Sequence, residues 1–303
     1  MSNYRYLLEK GGLKYACPAC GKIRFVRYVD TGTGEQVDDV AGRCDREDSC
    51  GYHLTPKEYY LMTGKNPLSS VAISARKREI APEQEPSFID DDIMRSSMSG
   101  YNQNNFCRWL CSVFGESRAF DLTAAYQIGT SKYWPGASVF WQIDRAGCIK
   151  AGKVMLYSSD TGRRVKEPFN HIQWVHKLIK VEPYHLRQCL FGEHLLSHDT
   201  IKPVAIVESE KTAIVAAGFM PQFIWTATGG KGALNGEKLK AVYGRRVVLF
   251  PDLGAAKKWR EAVKGMSGVT VSDILERRAS DADRAAGLDI ADYLLRETGK
   301  LNT

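Results

Sequence analysis

Residues 203–217 combine a short apolar run with a helical pattern that begins directly after it. The run Val204–Val207 has the length and β-branched content of a buried parallel strand, and it stops at Glu208. Residues 209–218 then have a polar first turn followed by helical apolar spacing, with Gly218 as the expected C-terminal stop. The pattern predicts a carboxylate at the carboxyl end of a buried strand, where open α/β sheets place ligands and chemistry.

A second strand pattern repeats this arrangement further along the chain. Residues 246–250 (RVVLF) predict another buried strand, Pro251 ends it, and Asp252 precedes a helical pattern over residues 255–264. If the two strands are neighbours, Glu208 and Asp252 converge at one sheet edge. Two carboxylates so placed suit a hard cation such as Mg²⁺.

Residues 202–295 resemble the Toprim domain of primases, topoisomerases and related nucleases, in which one strand ends in a glutamate and a later strand in an Asp-x-Asp pair. Glu208 stands at the glutamate and Asp252 at the first aspartate, whereas Gly254 replaces the second aspartate. The resemblance implies catalysis by Glu208 and Asp252 with Mg²⁺ or Mn²⁺. In GLDIADYL, Asp289 or Asp292 could replace the missing ligand; the alternative is that both cap or solvate the last helix.

Length and composition predict a globular chain with more than one domain. The 303 residues carry a net charge of +7 with a pI near 8.9, which is compatible with a polyanionic partner. Apolar runs are too short for a membrane span and the first residues lack a signal-peptide core, so we expect no membrane contact and a cytoplasmic location. In that compartment the eight cysteines are expected to be metal ligands or buried thiols.

The first cysteines predict a zinc ribbon. Cys17 and Cys20 form a C-P-x-C-G knuckle, and Cys44 and Cys50 form a second, more widely spaced pair. Two strands, over residues 23–28 and 36–44, are expected to flank a turn at residues 31–34. Four thiolates satisfy a closed zinc site, with His53 as an alternative ligand in place of one of the later cysteines.

Basic and aromatic side chains are interleaved around these cysteines. They fit a surface that binds single strands, or else a small core with solubilising cations. The residues are Lys14, Tyr15, Lys22, Arg24, Phe25, Arg27, Tyr28, Arg43, Arg46 and Tyr52.

An N-terminal zinc ribbon ahead of a Toprim domain resembles the arrangement of bacterial-type primases. This resemblance implies metal-dependent synthesis of short primers from nucleoside triphosphates on single-stranded DNA, for replication of a mobile element. A helicase or replication initiator is a further expected partner, and a monomer is favoured. A Toprim nuclease and a non-catalytic binding module for single-stranded nucleic acid are the alternatives.

The expected organisation is α/β: a zinc ribbon over residues 1–63, a linker over 64–86, a mixed α+β domain over 87–201 and a mostly parallel Toprim sheet over 202–303. Pro56 after a Thr55 cap predicts a short helix. Asp90 and its acidic neighbours predict a helix start, and residues 139–157 predict a hairpin.

Cations near these elements are candidate contacts for nucleic acid or nucleotides. Those of the hairpin region could instead guard a solvated sheet edge. The glycine-rich turn at residues 228–232 could cradle a phosphate or be a plain β–α turn. The predicted cations are Lys150, Lys153, Arg163, Arg164, Lys211, Lys231 and Lys257, with Lys166 beside them.

Overall fold

A computed structural model describes residues 4–9, 13–46, 50–64, 85–230 and 232–299. The chain divides into two compact units, residues 1–81 and 82–303. The predicted linker falls almost entirely outside the described residues. Within the described ranges, none of the helices has the length and apolar character needed to cross a bilayer.

The first unit is an antiparallel ribbon followed by one helix. The long strand β3 pairs with β1, β2 and β4, and β4 pairs with β5. Thr55 caps the helix in a capping box with Glu58, and Pro56 opens it, as predicted. The elements are β1 (Tyr6–Leu8), β2 (Tyr15–Ala16), β3 (Ile23–Asp30), β4 (Gly42–Cys44), β5 (His53–Leu54) and α1 (Pro56–Thr63).

The strand predicted over residues 36–44 is wrong in its first part, where the only pairing is an isolated bridge from Gln36 to Val29. Asp38 makes a local turn instead. Its side chain accepts the Val40 N–H at 3.2 Å, and its carbonyl accepts the Ala41 N–H at 3.3 Å. Such a side-chain contact competes with sheet pairing, so the regular strand begins only at Gly42.

The second unit begins with helices and an antiparallel sheet. Its strands lie in the order β6-β7-β8-β9, and the predicted hairpin is β7 and β8. Asp90 caps the first helix by accepting the Asp92 N–H, as expected. The elements are α2 (Asp91–Ser97), α3 (Asn105–Phe114), α4 (Glu116–Ala125), β6 (Gly129–Thr130), β7 (Ser138–Ile143), β8 (Ile149–Met155), β9 (Ile172–Trp174) and α5 (Val175–Leu178).

The rest of this unit is a parallel sheet with helices, which confirms the predicted fold class. The strand order is β11-β10-β12-β13. The elements are β10 (Val204–Val207), α6 (Glu210–Phe219), β11 (Ile224–Ala227), α7 (Gly236–Leu239), β12 (Val247–Leu249), α8 (Ala256–Ala262), β13 (Val269–Val271), α9 (Ile274–Arg278), α10 (Asp281–Ala286) and α11 (Ile290–Glu297); 3-10 turns lie at Tyr101–Gln103, Glu193–Ser197 and Lys240–Val242.

Residues of the central strand β10 pack on both faces of the parallel sheet, and all four of them are apolar. Ala205 and Val207 join a core shared with Phe140 of the antiparallel sheet, whereas Val204 and Ile206 pack in the core that contains Trp259 of α8. The antiparallel sheet is thereby held against the parallel one.

Gly218 does not end the helix, contrary to the sequence prediction, because α6 continues to Phe219. A β-carbon at Gly218 would lie 2.4 Å from the ring of Phe114 on α3. The glycine therefore permits close packing of α3 against α6. In the sequence, a glycine needed for packing has the same appearance as a glycine that ends a helix.

Candidate functional site

Four cysteine thiols converge in the ribbon as predicted. The Sγ atoms of Cys17, Cys20, Cys44 and Cys50 all lie within 4.8 Å of one another, and those of Cys17 and Cys50 are 3.7 Å apart. Tetrahedral zinc–thiolate bonds of about 2.3 Å place the sulfurs about 3.8 Å apart. The Lys22 backbone N–H lowers the pKa of the Cys20 thiol to about 6, which favours the thiolate. This donor set fits a structural Zn²⁺.

His53, the alternative ligand, is engaged elsewhere. Its Nε2 lies 2.9 Å from the Tyr28 hydroxyl oxygen, and the two rings stack. The converging set is therefore the four thiols.

The aromatic and basic residues of the ribbon are largely engaged within it. Phe25 is fully buried between the cysteines, and Tyr52 packs on its edge. The Arg27 guanidinium lies 3.9 Å from the centre of the Tyr15 ring and pairs with Asp39 at 2.8 Å. Phe25 and Tyr52 thus belong to the small core of the ribbon, whereas Lys22 and Arg24 are exposed.

Glu208 and Asp252 follow neighbouring parallel strands. Ile206 of β10 is in register with Leu249 of β12, so both carboxylates emerge at the same edge of the sheet. Glu208 is 4% exposed and Asp252 is half-buried. The Glu208 carbonyl accepts the Gly229 N–H at 3.0 Å, which brings the glycine-rich turn to the same edge.

Asp289 also reaches this edge. Its Oδ2 accepts a 2.5 Å hydrogen bond from Thr212 Oγ1, which lies 2.7 Å from Ser209 Oγ. In addition, the Leu253 N–H donates to the Leu288 carbonyl at 3.4 Å, which ties the loop after Asp252 to the segment before α11.

Asp289 and Asp292 together cap α11. Asp289 Oδ1 accepts the Asp292 N–H at 3.0 Å, and Asp292 Oδ2 accepts the Asp289 N–H at 3.1 Å. Burial, and then the Asp292 charge, raise the pKa of Asp289. Across the described residues, three or more ligand atoms come close enough to share an ion only at the four thiols.

Gly254 has a positive φ of 85°, a conformation in which an aspartate side chain would be strained. Its N–H donates to Glu276 Oε1 at 2.9 Å. Arg284 pairs with the Glu276 carboxylate and is the main cause of its lowered pKa. The hydrogen bond from the Gly254 N–H lowers this pKa by a smaller amount. At position 254 the chain therefore supplies a backbone N–H donor to Glu276, a carboxylate that also pairs with Arg284.

A buried ion pair beside the glycine-rich turn was not predicted. Lys153 Nζ on β8 lies 3.0 Å from Glu210 Oε1 at the start of α6 and 2.6 Å from the Gly229 carbonyl oxygen. Lys238 Nζ donates to the preceding carbonyl, that of Thr228, at 2.5 Å. Two lysines from separate elements therefore hold successive carbonyls of the turn.

Gln142 completes this group from the antiparallel sheet. It is 1% exposed, and neither amide atom has a hydrogen-bond partner among the described residues. Gly229 has a φ of 87°, and a β-carbon there would lie 3.2 Å from Gln142 Nε2 and 3.5 Å from Glu210 Oε1. Position 229 therefore favours glycine for both conformation and space.

One signal for this group was present in the sequence. Lys153 is in register with Phe140, and Gln142 lies two residues further along β7, so all three share the face that packs on the parallel sheet. Alternation along the hairpin thus placed two polar side chains among core residues. Their partner, Glu210, is 57 residues away from Lys153 and was not deducible from spacing.

The other predicted cations differ in their surroundings. Lys150 pairs with Asp144 at 3.2 Å and lies over the Phe88 ring, whereas Arg163 and Arg164 are exposed. Lys257 is exposed on α8, and Lys231 lies outside the described residues.

Lys211 lies in a cavity of about 370 Å³ that Arg163 and Asp292 also line. Its Nζ is 4.7 Å from the centre of the Trp109 ring, and burial lowers its pKa. The predicted cations are therefore divided among buried, paired and exposed positions.

We expect Lys153→Met to lower the free energy of unfolding by about 3–5 kcal/mol, because Glu210 would remain buried without its partner. Chemical denaturation of the single variants Lys153→Met and Glu210→Gln and of the double variant measures the coupling. The double variant should be more stable than the sum of the single losses implies. Additive losses would show that the ion pair contributes nothing.

Two family models match parts of the chain. Residues 4–65 match the family described as "Zinc beta-ribbon finger, putative". Residues 104–253, just under half of the chain, match the family described as "Domain of unknown function (DUF6371)". The second match runs from the N-cap of α3 to the residue after Asp252, so it includes the buried ion pair and both edge carboxylates.

Solved structures similar to this chain include several primases, and no curated protein matches it in sequence. The DnaG primase catalytic domain bound to ssDNA is 13% identical with a TM-score of 0.47, and the match covers 69% of this chain and 74% of the DnaG chain. The primase fragment of the bacteriophage T7 primase-helicase is 13% identical with a TM-score of 0.40, and the match covers 98% of this chain and 100% of the T7 fragment. The zinc-binding and RNA polymerase domains of Aquifex aeolicus primase are 11% identical with a TM-score of 0.34, and the match covers 97% of this chain and 84% of the Aquifex chain.

Proposed function

We propose that this chain is a primase-like nucleotidyltransferase of Toprim type that makes short primers on single-stranded DNA. The observation that carries the proposal is the edge of the parallel sheet, where Glu208 and Asp252 end neighbouring strands beside a glycine-rich turn. The four-thiol ribbon supplies the second component expected of such an enzyme.

The two carboxylates are the proposed ligands of one Mg²⁺ or Mn²⁺ ion. Mg²⁺ is commonly held by one or two carboxylates together with substrate phosphates, so we expect a single ion to bind without an aspartate at position 254. Glu208 and Asp252 would hold the ion, whose positive charge would offset the negative charge that develops on the nucleotide phosphates during phosphoryl transfer. Asp289, already bonded to Thr212, lies at the same edge and is a further proposed ligand, with Asp292 behind it as its capping partner.

The protein groups at this edge have distinct proposed roles. Glu208 and Asp252 hold the ion, and backbone N–H groups of the glycine-rich turn orient the phosphates. Lys153 and Lys238 fix the turn through its carbonyls, so Lys153 acts as a positioning residue.

Nucleoside triphosphates and single-stranded DNA are the proposed substrates, with Lys211, Lys231 and Lys257 as proposed phosphate contacts. We further propose a cytoplasmic protein, monomeric, that serves replication of a mobile element together with a helicase or replication initiator.

The test is an assay of the zinc-loaded chain with single-stranded DNA, labelled ribonucleotides or deoxyribonucleotides, and Mg²⁺ or Mn²⁺. Labelled oligonucleotides that depend on template and metal would support the proposal. Shortened DNA in the absence of nucleotides would identify a Toprim nuclease instead.

A non-catalytic binding module is the second candidate, and Gly254 is the observation that favours it. Intact DNA that remains bound to the chain, without labelled product under any combination of nucleotide and metal, would support that function. The same assay therefore separates all three activities.

A further inference from the structure

Four aromatic rings form a continuous group at one end of the antiparallel sheet. Tyr133 and Trp134 lie in the loop between β6 and β7, and Phe169 and His171 lie just before β9. The ring centres of Tyr133 and Trp134 are 4.5 Å apart, those of Trp134 and His171 5.1 Å, and those of His171 and Phe169 4.4 Å. We call these four residues the aromatic ledge.

The inner and outer rings of the ledge differ in burial. Trp134 is partly buried against the core that contains Trp141, so it has a packing role. Tyr133 is 50% exposed and Phe169 is 54% exposed. Each exposed ring contacts a half-buried ring, Tyr133 that of Trp134 and Phe169 that of His171, and core packing does not account for the outer faces of the exposed rings.

Two exposed cations flank the residue whose carbonyl oxygen contacts the ledge. The Val165 carbonyl lies 3.4 Å from the His171 backbone nitrogen and 3.3 Å from His171 Nδ1, so residues 164–166 lie next to the rings. Arg164 and Lys166 are exposed, and their side chains make no ion pair or hydrogen bond with any residue that the structure describes. Lys150 and Lys153, in contrast, are paired with Asp144 and Glu210. Exposed Glu167 offsets only one of the two free charges.

We propose that the aromatic ledge binds unpaired bases of single-stranded DNA, with Arg164 and Lys166 at the flanking phosphates. Bases stack on exposed aromatic faces only when they are unpaired, and cations beside the rings match the charge of the backbone. The inference deepens the proposed function by assigning a surface for the template, and it is tested through binding alone.

The first experiment measures the affinity of the zinc-loaded full chain for oligodeoxythymidylate of about 20 nucleotides by fluorescence anisotropy. We expect Tyr133→Ala and Phe169→Ala each to raise Kd about tenfold, because each variant removes a stacking face. Phe120→Ala is the matched control: Phe120 is 67% exposed on α4 and lies outside the ledge, so its loss should leave Kd unchanged.

A second probe separates stacking from a structural effect. An abasic oligonucleotide of the same length carries the same phosphates without bases, so the two aromatic variants should bind it as tightly as the unmodified chain does. Equal weakening on both probes, or an unchanged Kd of both variants for oligodeoxythymidylate, would overturn the proposal. Tighter binding to duplex than to single-stranded DNA would also overturn it.

The salt dependence tests the cations separately. For a single strand, each neutralised phosphate contributes about −0.7 to the slope of log affinity against log salt. Arg164→Ala and Lys166→Ala should each reduce the magnitude of the slope by about that amount, whereas Tyr133→Ala and Phe169→Ala should not change it. Unchanged slopes for both cation variants would contradict their assignment.

These outcomes are independent of catalysis. Base-dependent binding at the ledge in a chain that makes no primer would retain the inference and refute primer synthesis. Intact primer synthesis and unchanged DNA affinity in chains that lack both outer rings would support primer synthesis and refute the aromatic ledge as the template surface.

Discussion

Glu208→Gln is expected to lower primer synthesis about a thousandfold while leaving the fold and the affinity for single-stranded DNA intact. The glutamine keeps the shape of a side chain that is 4% exposed at the end of β10, but it removes the negative charge that the proposed cation site requires. Loss of a metal contribution of several kcal/mol corresponds to a rate reduction of this order. The rate of labelled nucleotide incorporation, measured with saturating template, gives the effect.

Two companion variants define what this result means. Asp252→Asn should produce a loss of similar size, because its carboxylate completes the same edge. Asp121→Asn removes an exposed carboxylate on α4 and should retain full activity. If Glu208→Gln retained normal activity, the edge of the parallel sheet would not be the active centre.

Cys44→Ser is expected to abolish stable zinc binding and to unfold the ribbon. Cys44 is buried against Phe25, and its thiol belongs to the only set of converging ligands in the part of the chain that the structure describes. Apparent zinc-binding free energies of about 10–16 kcal/mol support the folding of modules this small, so a lost ligand should remove most of their stability. Zinc content and the rate of limited proteolysis within residues 13–64 provide the measurement.

Cys148→Ser is the matched control, since Cys148 is a half-buried thiol near the β7–β8 hairpin and outside the cluster. That variant should retain about one zinc ion per chain and resist proteolysis as the unmodified protein does. Full zinc content in Cys44→Ser would exclude the four-thiol site.

The sequence identified the parts of the site that depend on local pattern. Val204–Val207 is the observed strand β10, because four consecutive apolar residues between polar neighbours leave little choice of boundary. The thiols of Cys17 and Cys20 converge with the later pair, since few other arrangements satisfy ligands at that spacing.

Features of the fold and the site that depend on residues distant in sequence were missed or predicted wrongly. Glu210 reads as a favourable residue at a helix start, and only the packing of β8 on the parallel sheet turns it into the partner of Lys153. Gly218 reads as a helix stop, but its role is set by the ring of Phe114. The pairing of Gly254 with Glu276 likewise requires α9 to lie beside the loop after β12.

The roles of the cations could not be predicted from the sequence either. Lys153 and Arg164 occur in one basic segment, yet the first is buried and paired, whereas the second is exposed and forms no ion pair within the part of the chain that the structure describes. Which of them can reach a phosphate depends on the face of the hairpin that packs against the parallel sheet. Periodicity alone does not specify that partner.

The most direct test of the proposed active centre is Mn²⁺ binding, followed by electron paramagnetic resonance in the zinc-loaded chain and in its Glu208→Gln and Asp252→Asn variants. We expect about one bound Mn²⁺ per unmodified chain, with binding strengthened by added nucleotide. Mn²⁺ binding should be at least tenfold weaker in Glu208→Gln and Asp252→Asn and unchanged in Asp121→Asn. Equal Mn²⁺ affinity in all four proteins would contradict the assignment of Glu208 and Asp252 as the metal ligands.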